Sequence, residues 1–594
     1  MKRRVFLKAL GVVLPGIYCR RLLAIASNVT DLQFNLQTPG RVGFYIDYSE
    51  RNSVGQHVFY VCRTHGTTGA VSVDYTTLGD AHSSVSGTLT WPDGDASIKS
   101  FSVDVPSKGN GEHRIWAQLS NPTGGAVLHY GDYTRAYGVI DDGTVAGDSD
   151  AVFYDGGAAV NGDGTQGSPY NSIYDAISNI GSKRYLYGKG ATTPDGTNSV
   201  SENGGGVVDC IFTPQGRTGE SDRLFIRNWP GSTWTITGGA ASNKIGFYCS
   251  GGIHTAVGDY LTFRGIRFSD LDASSADYAE GGGIGYFKNG GAGINVELCA
   301  FLNINGATGS NTSGFNCYAV DGAKVWRCTS NNIMVGGDST NGNTSMSVTY
   351  DGKNISIQRC EMANSSAAVY HKRVKNNLDV SMGVRFCRAT TDFGVKYAKS
   401  GAHGTSHSYT IVQGNAFVGC PQGGIVHEPG RLSEEQGEKH WWCNNVFENC
   451  GSGERAAIEF YRAYSSEIFN NIFLDCRRIW REPVDTSDIK TPGVEYADYN
   501  HDYGTTYIYK YEWRGVDYSN ASSLFQRSGL AEHDETGDPK FIGNEYILGA
   551  DSPCAGTGVS STDKGVYLAG IEMLGVGVVE SATPPAAPSG LIAS

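Results

Sequence analysis

Several kinds of residue and motif are scarce or missing in this chain of 594 residues. Charged residues make up only 18% and the net charge is −13, which argues against nucleic acid as a partner because phosphate binding needs a basic face. The sequence has no GxxxxGK[ST] loop and no HExxH, so it offers neither of these phosphate-binding and zinc-binding motifs. No CxxC occurs among the 14 cysteines. Glycine (81) and tyrosine (33) are abundant instead, a composition that suits a turn-rich all-β protein.

The N-terminal segment has the features of an export signal. Lys2-Arg3-Arg4-Val5-Phe6-Leu7-Lys8 precedes a modest apolar run, and Ala24-Ile25-Ala26 gives an A-x-A cleavage pattern. The run falls short of the roughly 18 residues that a membrane span needs. The paired arginines resemble a twin-arginine signal, with an ordinary secretory signal as the alternative. We therefore expect residues 1–26 to direct export to the periplasm, cell surface or exterior, with no membrane contact after the signal is removed.

A short sequence motif recurs at nearly regular intervals between residues 295 and 476. It is a brief apolar or β-branched run flanked by Gly, Asn, Asp or Ser, and no helical period recurs within it. The anchors, 26 to 32 residues apart, are Cys299, Cys328, Cys360, Cys387, Asn415, Asn445 and Asn471, and a second set follows at Cys420, Cys450 and Cys476. A strand-built repeat of about this length is one coil of a parallel β-helix.

The anchor residues fit such a coil. Like positions on successive coils stack about 4.8 Å apart, so the cysteines are expected to pack inside as small apolar groups and the asparagines to form an amide ladder. Metal binding or disulfides are the competing reading of the cysteines. Because no CxxC is present and neighbours in the ladder lie a whole coil apart, we favour core packing.

The segment before the repeat has a different sequence pattern. Strand-like runs such as Val71–Thr77 and Phe101–Val105 alternate with turns, which is typical of a small β-sandwich. Four segments resemble the sequences of the Calx-β family: Gly69–Thr77, Gly87–Trp91, Leu119–Ala126 and Val139–Asp142. Some Calx-β domains bind calcium through acidic loops, and Glu112, Asp141 and Asp142 remain here. The stretch before Glu112 reads Ser-Lys-Gly-Asn-Gly, and calcium takes six or more oxygens, so we expect an accessory or adhesion module without calcium.

The remaining segments complete the predicted architecture. Asn161–Ile177 resembles the opening of secreted right-handed β-helix proteins, with apolar residues at helical spacing for a capping helix, and Asp538–Pro553 resembles their closing phrase. The chain is therefore predicted to be all-β, with a Calx-β-like β-sandwich at 27–146 and a right-handed parallel β-helix solenoid at 150–578. Residues 579–594 are a Pro-rich linker whose end resembles the first strand of a fibronectin type III module.

Another strand precedes each anchor, and its first position is apolar in every coil. Alternation then places the second and fourth positions outside. These outward residues are Tyr370, Lys372, Lys396, Glu428, Glu459 and Tyr461; the third position holds His371, Tyr397 and His427, and Arg373 and Arg462 follow. The same coils carry the long connections that contain His403 and Arg431. A polar strip beside long loops indicates a binding site.

The strip suits β-elimination on a uronate-containing polysaccharide. That reaction removes the C5 proton of the uronate, and it needs cations around the carboxylate together with a base. Lys372 or Lys396 is the candidate base, because cations on adjacent coils disfavour each other's charge. His371, Tyr397 and His427 are the other acid or base candidates. The residues expected to bind the chain are Tyr370, Arg373, His403, Glu428, Arg431, Glu459, Tyr461 and Arg462.

This set resembles the β-helix polysaccharide lyases of the alginate-lyase and chondroitinase B-like group. The resemblance implies a Lys base with an Arg on the next coil, and often a calcium ion held by Asn and Glu. Here the next-coil partner of Lys372 is Lys396, and no matching Asn and Glu set precedes it. No metal ligands are therefore assigned, and calcium is the one cofactor candidate left open. We expect a monomer whose partner is an acidic polysaccharide.

Other readings stay open. Glu428 and Glu459, one coil apart, suit a glycoside hydrolase, since about 5–5.5 Å between carboxylates favours a retaining mechanism. The sandwich favours a carbohydrate-binding adhesin without enzymatic activity. In the blandest reading, the outward Lys and Glu residues are solvated surface or weak ion pairs, and His371 and His427 are core residues.

Overall fold

The computed structural model describes most of the chain between residues 38 and 566. Its gaps are 80–82, 130, 201–206, 215–216, 240–243, 251–258, 274–281, 288–290, 307–311, 336–343, 374–379, 400–407, 429–437, 461–465, 483–493, 506, 508–509, 514, 529, 544–545 and 559–562. The predicted export signal and the Pro-rich tail lie outside the described residues.

The N-terminal part is a β-sandwich. Its strands are β1 (Arg41–Phe44), β2 (Tyr48–Arg51), β3 (Gly55–Thr64), β4 (Val71–Gly79), β5 (Ser86–Trp91), β6 (Lys99–Val105), β7 (His113–Ser120), β8 (Val127–Leu128) and β9 (Arg135–Ile140). They form two sheets, ordered β6-β3-β1-β8 and β2-β9-β7-β4-β5. Alternate side chains of β7 are buried, so one side of each sheet supplies the core between them. A 3-10 helix spans Gly131–Thr134.

The rest of the chain forms a parallel β-helix with three faces, and its coils pair strand on strand. The first face contains β10 (Ala151–Asp155), β11 (Tyr185–Thr192), β14 (Leu224–Asn228), β17 (Leu261–Arg264), β20 (Asn295–Glu297), β23 (Lys324–Trp326), β26 (Ile355–Gln358), β29 (Val380–Arg385), β32 (Ser408–Gln413), β35 (Glu438–Cys443), β38 (Ser466–Phe469) and β41 (Val494–Asp498). The second face contains β15 (Trp234–Thr237), β18 (Ile266–Ala273), β21 (Ala300–Gly306), β24 (Thr329–Val335), β27 (Glu361–Ser365), β30 (Arg388–Thr390), β33 (Ala416–Val418), β36 (Val446–Glu448), β39 (Ile472–Leu474), β42 (His501–Tyr503) and β45 (Glu535–Thr536).

The third face is a separate 13-stranded sheet. It contains β12 (Ser199–Val200), β13 (Val208–Phe212), β16 (Lys244–Ser250), β19 (Ile284–Phe287), β22 (Ser313–Tyr318), β25 (Thr344–Tyr350), β28 (Ala367–Arg373), β31 (Phe393–Lys399), β34 (Gly423–Glu428), β37 (Ile458–Phe460), β40 (Trp480–Arg481), β43 (Tyr511–Trp513) and β44 (Val516–Tyr518). The hairpin of β46 (Phe541–Ile542) and β47 (Ile547–Leu548) and the helices α1 (Ile173–Ser178) and α2 (Ala521–Ser528) lie outside these sheets. The predicted all-β class with a parallel β-helix is confirmed.

The motif that recurs in the sequence forms the corner between the first and second faces. The residue before each anchor has a positive φ, for example 53° at Leu298, 56° at Asn444 and 55° at Asn470. A single residue in the left-handed region turns the chain sharply, and it lets one strand end and the next begin without a loop. The corner explains why the two faces join in one 23-stranded sheet.

Both predicted ladders are present in the coil interior. The side-chain amide of Asn415 donates to Asn445 Oδ1 at 3.0 Å, and Asn445 donates to Asn471 Oδ1 at 3.0 Å. Asn471 continues the ladder to Asn500 at 3.1 Å. All seven ladder cysteines are free thiols and buried, so the core-packing prediction is confirmed.

The helix α1 covers the open end of the solenoid, as predicted. Ser172 caps it by accepting a hydrogen bond from the Asp175 N–H at 3.2 Å. Ile173 and Ala176 are buried in the core of the solenoid, and Tyr170, Tyr174 and Ile177 pack against that core. An exposed strand edge invites pairing with another chain, and the capping segment shields it.

The sandwich packs against the outward side of the first face. Tyr48 lies 4.1 Å from Trp326 between ring centroids, and Lys324 Nζ is 3.0 Å from Asp47 Oδ2. Further along the solenoid, His65 contacts Trp441 at 5.0 Å between ring centroids. The contacts therefore span the strands from β23 to β35 at least. Among the described residues, no helix is long and apolar enough to cross a membrane.

Candidate functional site

The outward column runs along the third face through Tyr370, Lys396, Val426, Glu459, Arg481 and Glu512. Strand pairing places these residues in register on consecutive coils. The inward neighbours Val369, Val395, Ile425 and Ile458 belong to the core of the solenoid, so the predicted alternation is confirmed here. One coil differs, because β25 pairs Ser347 rather than Met346 with Val369, after an irregularity in the strand.

Lys396 is the lysine of this column, and its side chain is enclosed by aromatic rings. Its ammonium lies 4.7 Å from the ring centroid of Phe393 and 5.8 Å from that of Tyr370. Only 7% of its surface is exposed, and Val426, its in-register neighbour, is fully buried. Aromatic rings attract a cation through their faces. Lys396 is therefore a cation held against aromatic walls rather than a freely solvated one.

The two candidate lysines share the outward side but do not face each other. Tyr370 is the in-register partner of Lys396, and Lys372 pairs with Ala398. The sequence-based expectation that Lys396 is the next-coil partner of Lys372 is corrected by this register. The two lysines are diagonal neighbours on adjacent strands. The strand spacing and the rise per residue place their Cα atoms about 8 Å apart. Lys372 is half-buried.

Glu459 is a buried carboxylate that the chain itself holds in place. Its Oε2 accepts from Arg455 Nη1 at 2.7 Å, and its Oε1 accepts from the Ala456 N–H at 2.9 Å. It pairs in register with Val426, whereas Glu428 pairs with Ala398. The two glutamates therefore do not occupy opposed positions on adjacent strands, as the simplest paired-carboxylate arrangement would have them.

The column continues into charged residues that were not singled out from the sequence. Arg481 donates from Nε to Glu512 Oε2 at 2.5 Å, and Arg478 Nη1 lies 3.1 Å from the same oxygen. Arg455 was also not singled out, and no signal in the sequence pointed to it, because a spacing of four residues pairs side chains on helices and Glu459 lies in a strand. These arginines place further cationic groups two to three coils from Lys396.

His371, Tyr397 and His427 lie on the other side of the sheet, inside the coil. Their side chains are 0%, 2% and 0% exposed. The rings of His371 and Tyr397 are 5.3 Å apart and those of Tyr397 and His427 are 4.8 Å apart. The stack continues through His440 to Trp442 in the solenoid core. The expectation that these three residues act in an external groove is corrected; the core reading of His371 and His427 holds.

Several predicted residues cannot be placed with the others. His403, Arg431, Tyr461 and Arg462 lie outside the described residues. Arg373 and Glu428 end the strands β28 and β34, and only their backbone positions are described. Of the predicted set, the structure brings together Tyr370, Lys372, Lys396 and Glu459 on one outward surface. Within the described part of the chain, no group of three or more His, Cys, Asp or Glu side chains is arranged to hold a metal ion.

No protein-family model matches the chain, and no curated protein matches its sequence. Among solved structures, a family 28 exopolygalacturonase from Yersinia enterocolitica is similar over 83% of this chain and 100% of its own, with 9% identity and a TM-score of 0.30. The apo-form Calx CBD1 domain is similar over 17% of this chain and 95% of its own, with 20% identity and a TM-score of 0.16. The Calx CBD2 domain covers 18% of this chain and 87% of its own at 18% identity and a TM-score of 0.16.

Proposed function

We propose that the protein is an exported polysaccharide lyase that cleaves a uronate-containing chain by β-elimination on the third face. The observation that carries the proposal is the outward pairing of Lys396 with Tyr370, with Lys372 diagonal to it on the same surface. A uronate presents a carboxylate next to the carbon that loses its proton, so a site for it needs cations close together. Polymer substrates suit an extended row of residues on successive coils.

In the proposed reaction, the neutral amine form of Lys396 is the base that takes the C5 proton, and it becomes an ammonium in that step. The electron pair left at C5 forms the C4–C5 double bond and the bond from C4 to the glycosidic oxygen breaks. The Lys396 ammonium then returns a proton to that oxygen, directly or through water, and is restored as the neutral amine. Lys372 pairs with the carboxylate and offsets the charge that develops on it. The aromatic walls of Tyr370 and Phe393 limit water around the lysine, which strengthens charge interactions.

The packing of the sandwich supports the choice of face. Contacts from Arg227 to Trp441 cover the outward side of the first face, whereas the third face carries the outward column described above. Arg455 and Arg481 extend that column, and in the proposal they contact further uronates of the bound chain. Glu459 orients Arg455 through their ion pair. Each arginine already has a carboxylate partner, so a polymer carboxylate would share it.

A panel of purified polymers tests the proposal. Alginate, pectate, glycosaminoglycans and algal polymers would each be incubated with the mature protein, with and without chelator. A lyase produces an unsaturated uronate, seen as new ultraviolet absorbance in step with new reducing ends. Reducing ends without that absorbance would show a hydrolase, and neither signal on any polymer would favour the adhesin.

A further inference from the structure

The junction between the sandwich and the first face contains a buried network of charges. The sandwich contributes the carboxylates of Glu50, Glu112 and Asp141, and the solenoid contributes the guanidinium groups of Arg227 and Arg264. Arg264 is 1% exposed and Arg227 is 4% exposed. Charges this deeply buried are costly unless they are paired.

The arginines bind the carboxylates through several atoms at once. Arg227 donates from Nη1 to Glu112 Oε2 at 2.9 Å and from Nη2 to Asp141 Oδ2 at 2.8 Å. Arg264 donates from Nη2 to Asp141 Oδ2 at 3.1 Å and also to Glu50. Two guanidinium groups from adjacent coils therefore lie among three carboxylates of the sandwich.

A second layer completes the network. Arg264 Nη1 donates to Glu297 Oε2 at 3.0 Å, and Glu297 also accepts two hydrogen bonds from Arg114 of the sandwich at 2.9 Å and 2.8 Å. Burial would raise the pKa of Glu297, but Arg114 and Arg264 outweigh it and hold the pKa at about 2. Burial acts on Asp141 in the same sense, yet Arg227 and Arg264 hold the pKa of its carboxyl well below its usual range. Both groups are therefore ionised in the folded protein.

The acidic residues that the Calx-β resemblance offers to calcium do not fit a calcium ion here. Glu112 and Asp141 are saturated by arginine, and Asp142 Oδ1 lies 2.6 Å from Lys108 Nζ. Calcium takes six to eight oxygen ligands, and it would have to displace these cations to reach them. A guanidinium in the same place supplies positive charge and directional donors.

We propose that Arg227 and Arg264 take the place of a metal cation among Glu50, Glu112 and Asp141, and fix the sandwich on the first face without calcium. The sandwich is then an integral wall of the solenoid rather than a mobile module. The aromatic contact of Tyr48 with Trp326 and the ion pair of Lys324 with Asp47 extend the same interface.

The test uses the full mature chain and follows thermal unfolding with calcium or with chelator. The wild-type midpoint is expected to be the same in both. The double variant Arg227→Gln/Arg264→Gln removes both arginines from Asp141 and leaves Glu112 with Arg114 alone. Its midpoint is therefore expected to fall by about 3 °C or more in chelator and to rise again with calcium. Arg267→Gln, which removes an exposed arginine three residues after Arg264, is the matched control and should behave as wild type.

Asp141→Asn and Glu112→Gln keep both arginines and serve if the double variant does not fold. Each is expected to lower the midpoint without creating a response to calcium. Two results would overturn the proposal. One is a rise of the wild-type midpoint with calcium that Asp141→Asn abolishes; the other is a set of variants at this junction that all melt as the wild type does.

Discussion

Asn500 donates to Asp534 Oδ1 from its backbone N–H at 2.8 Å and from its side-chain amide at 3.3 Å. The amide ladder that starts at Asn415 therefore ends on a carboxylate. Tyr511 donates its hydroxyl to the other oxygen of Asp534 at 3.1 Å. Burial and the nearby Asp498 raise the pKa of Asp534 to about 7, although the hydrogen bonds and Lys564 act in the opposite sense.

The raised pKa makes the end of the ladder sensitive to pH. Since the pKa in the folded state lies above the usual aspartate value of about 4, folding is favoured by proton binding at low pH. This contribution is lost as the pH rises from about 4 through 7. Asp534→Asn cannot ionise and continues the ladder, so it should unfold less readily than the wild type at pH 8, by about 1–3 kcal/mol.

Urea unfolding at pH 5 and pH 8 measures this difference. The wild type should lose more stability than Asp534→Asn between the two values. Asp538→Asn removes an exposed carboxylate four residues later. Its free energy of unfolding should change between pH 5 and pH 8 as that of the wild type does. Parallel pH dependences for wild type and Asp534→Asn would contradict the assignment.

A substitution in the buried asparagine ladder should destabilise the protein more than one at an exposed Asn–Asn hydrogen bond. The side chain of Asn445 makes four buried hydrogen bonds, to Asn415, Asn471 and the Val412 carbonyl. Asn445→Ala leaves several of these groups unsatisfied, and we expect a loss of about 2–4 kcal/mol in the free energy of unfolding. Asn332→Ala removes an exposed Asn–Asn bond and should cost less than about 1 kcal/mol. Equal losses in urea unfolding would show that the ladder is not a main source of stability.

The thiols should be silent in the native protein. Of the described cysteines, Cys62 alone is not fully buried, and burial raises the pKa of Cys210 and of Cys554 to about 12. Because the thiolate is the reactive form, iodoacetamide should label these thiols only after unfolding, and reductant should not shift the melting midpoint. Mass spectrometry of native and denatured samples gives the answer. Disulfide-linked peptides, or extensive native labelling, would contradict the core reading.

The interior position of His427 gives a prediction that separates packing from catalysis. His427 pairs in register with Phe460 on the next coil, so an aromatic side chain already fills the equivalent place. His427→Phe should fold and keep polymer cleavage within about threefold, since an aromatic of similar shape conserves packing. Initial rates and melting curves of the purified variant are the measurements. A large fall in rate with an unchanged melting midpoint would return His427 to the catalytic set.

The features that could be predicted from the sequence are those set by the repeat length of one coil and by the alternation of side chains along a strand. Asn415, Asn445 and Asn471 recur one coil apart, and stacking follows directly from that spacing. The alternation placed Lys396 outside and Val395 inside correctly. At β25 the irregular strand shifted the register by one residue, and no local signal near Met346 announced it.

Contacts between distant segments could not be predicted in the same way. Arg264 and Asp141 are 123 residues apart, and each reads locally as an ordinary charged residue. Their pairing depends on where the sandwich docks, which no repeat or turn encodes. The fate of His371 and His427 was ambiguous for a different reason, because a histidine at an inward position suits both a core and a site.

The most direct measurement compares Lys396→Met with His427→Phe on whichever uronate polymer the wild type cleaves. The rate of ultraviolet absorbance gain is followed for both, with melting curves to confirm folding. Lys396→Met should lose at least about 100-fold in kcat/KM, as expected for removing a general base, while His427→Phe stays near wild type. A folded Lys396→Met variant that forms unsaturated product at the wild-type rate would contradict the proposed site.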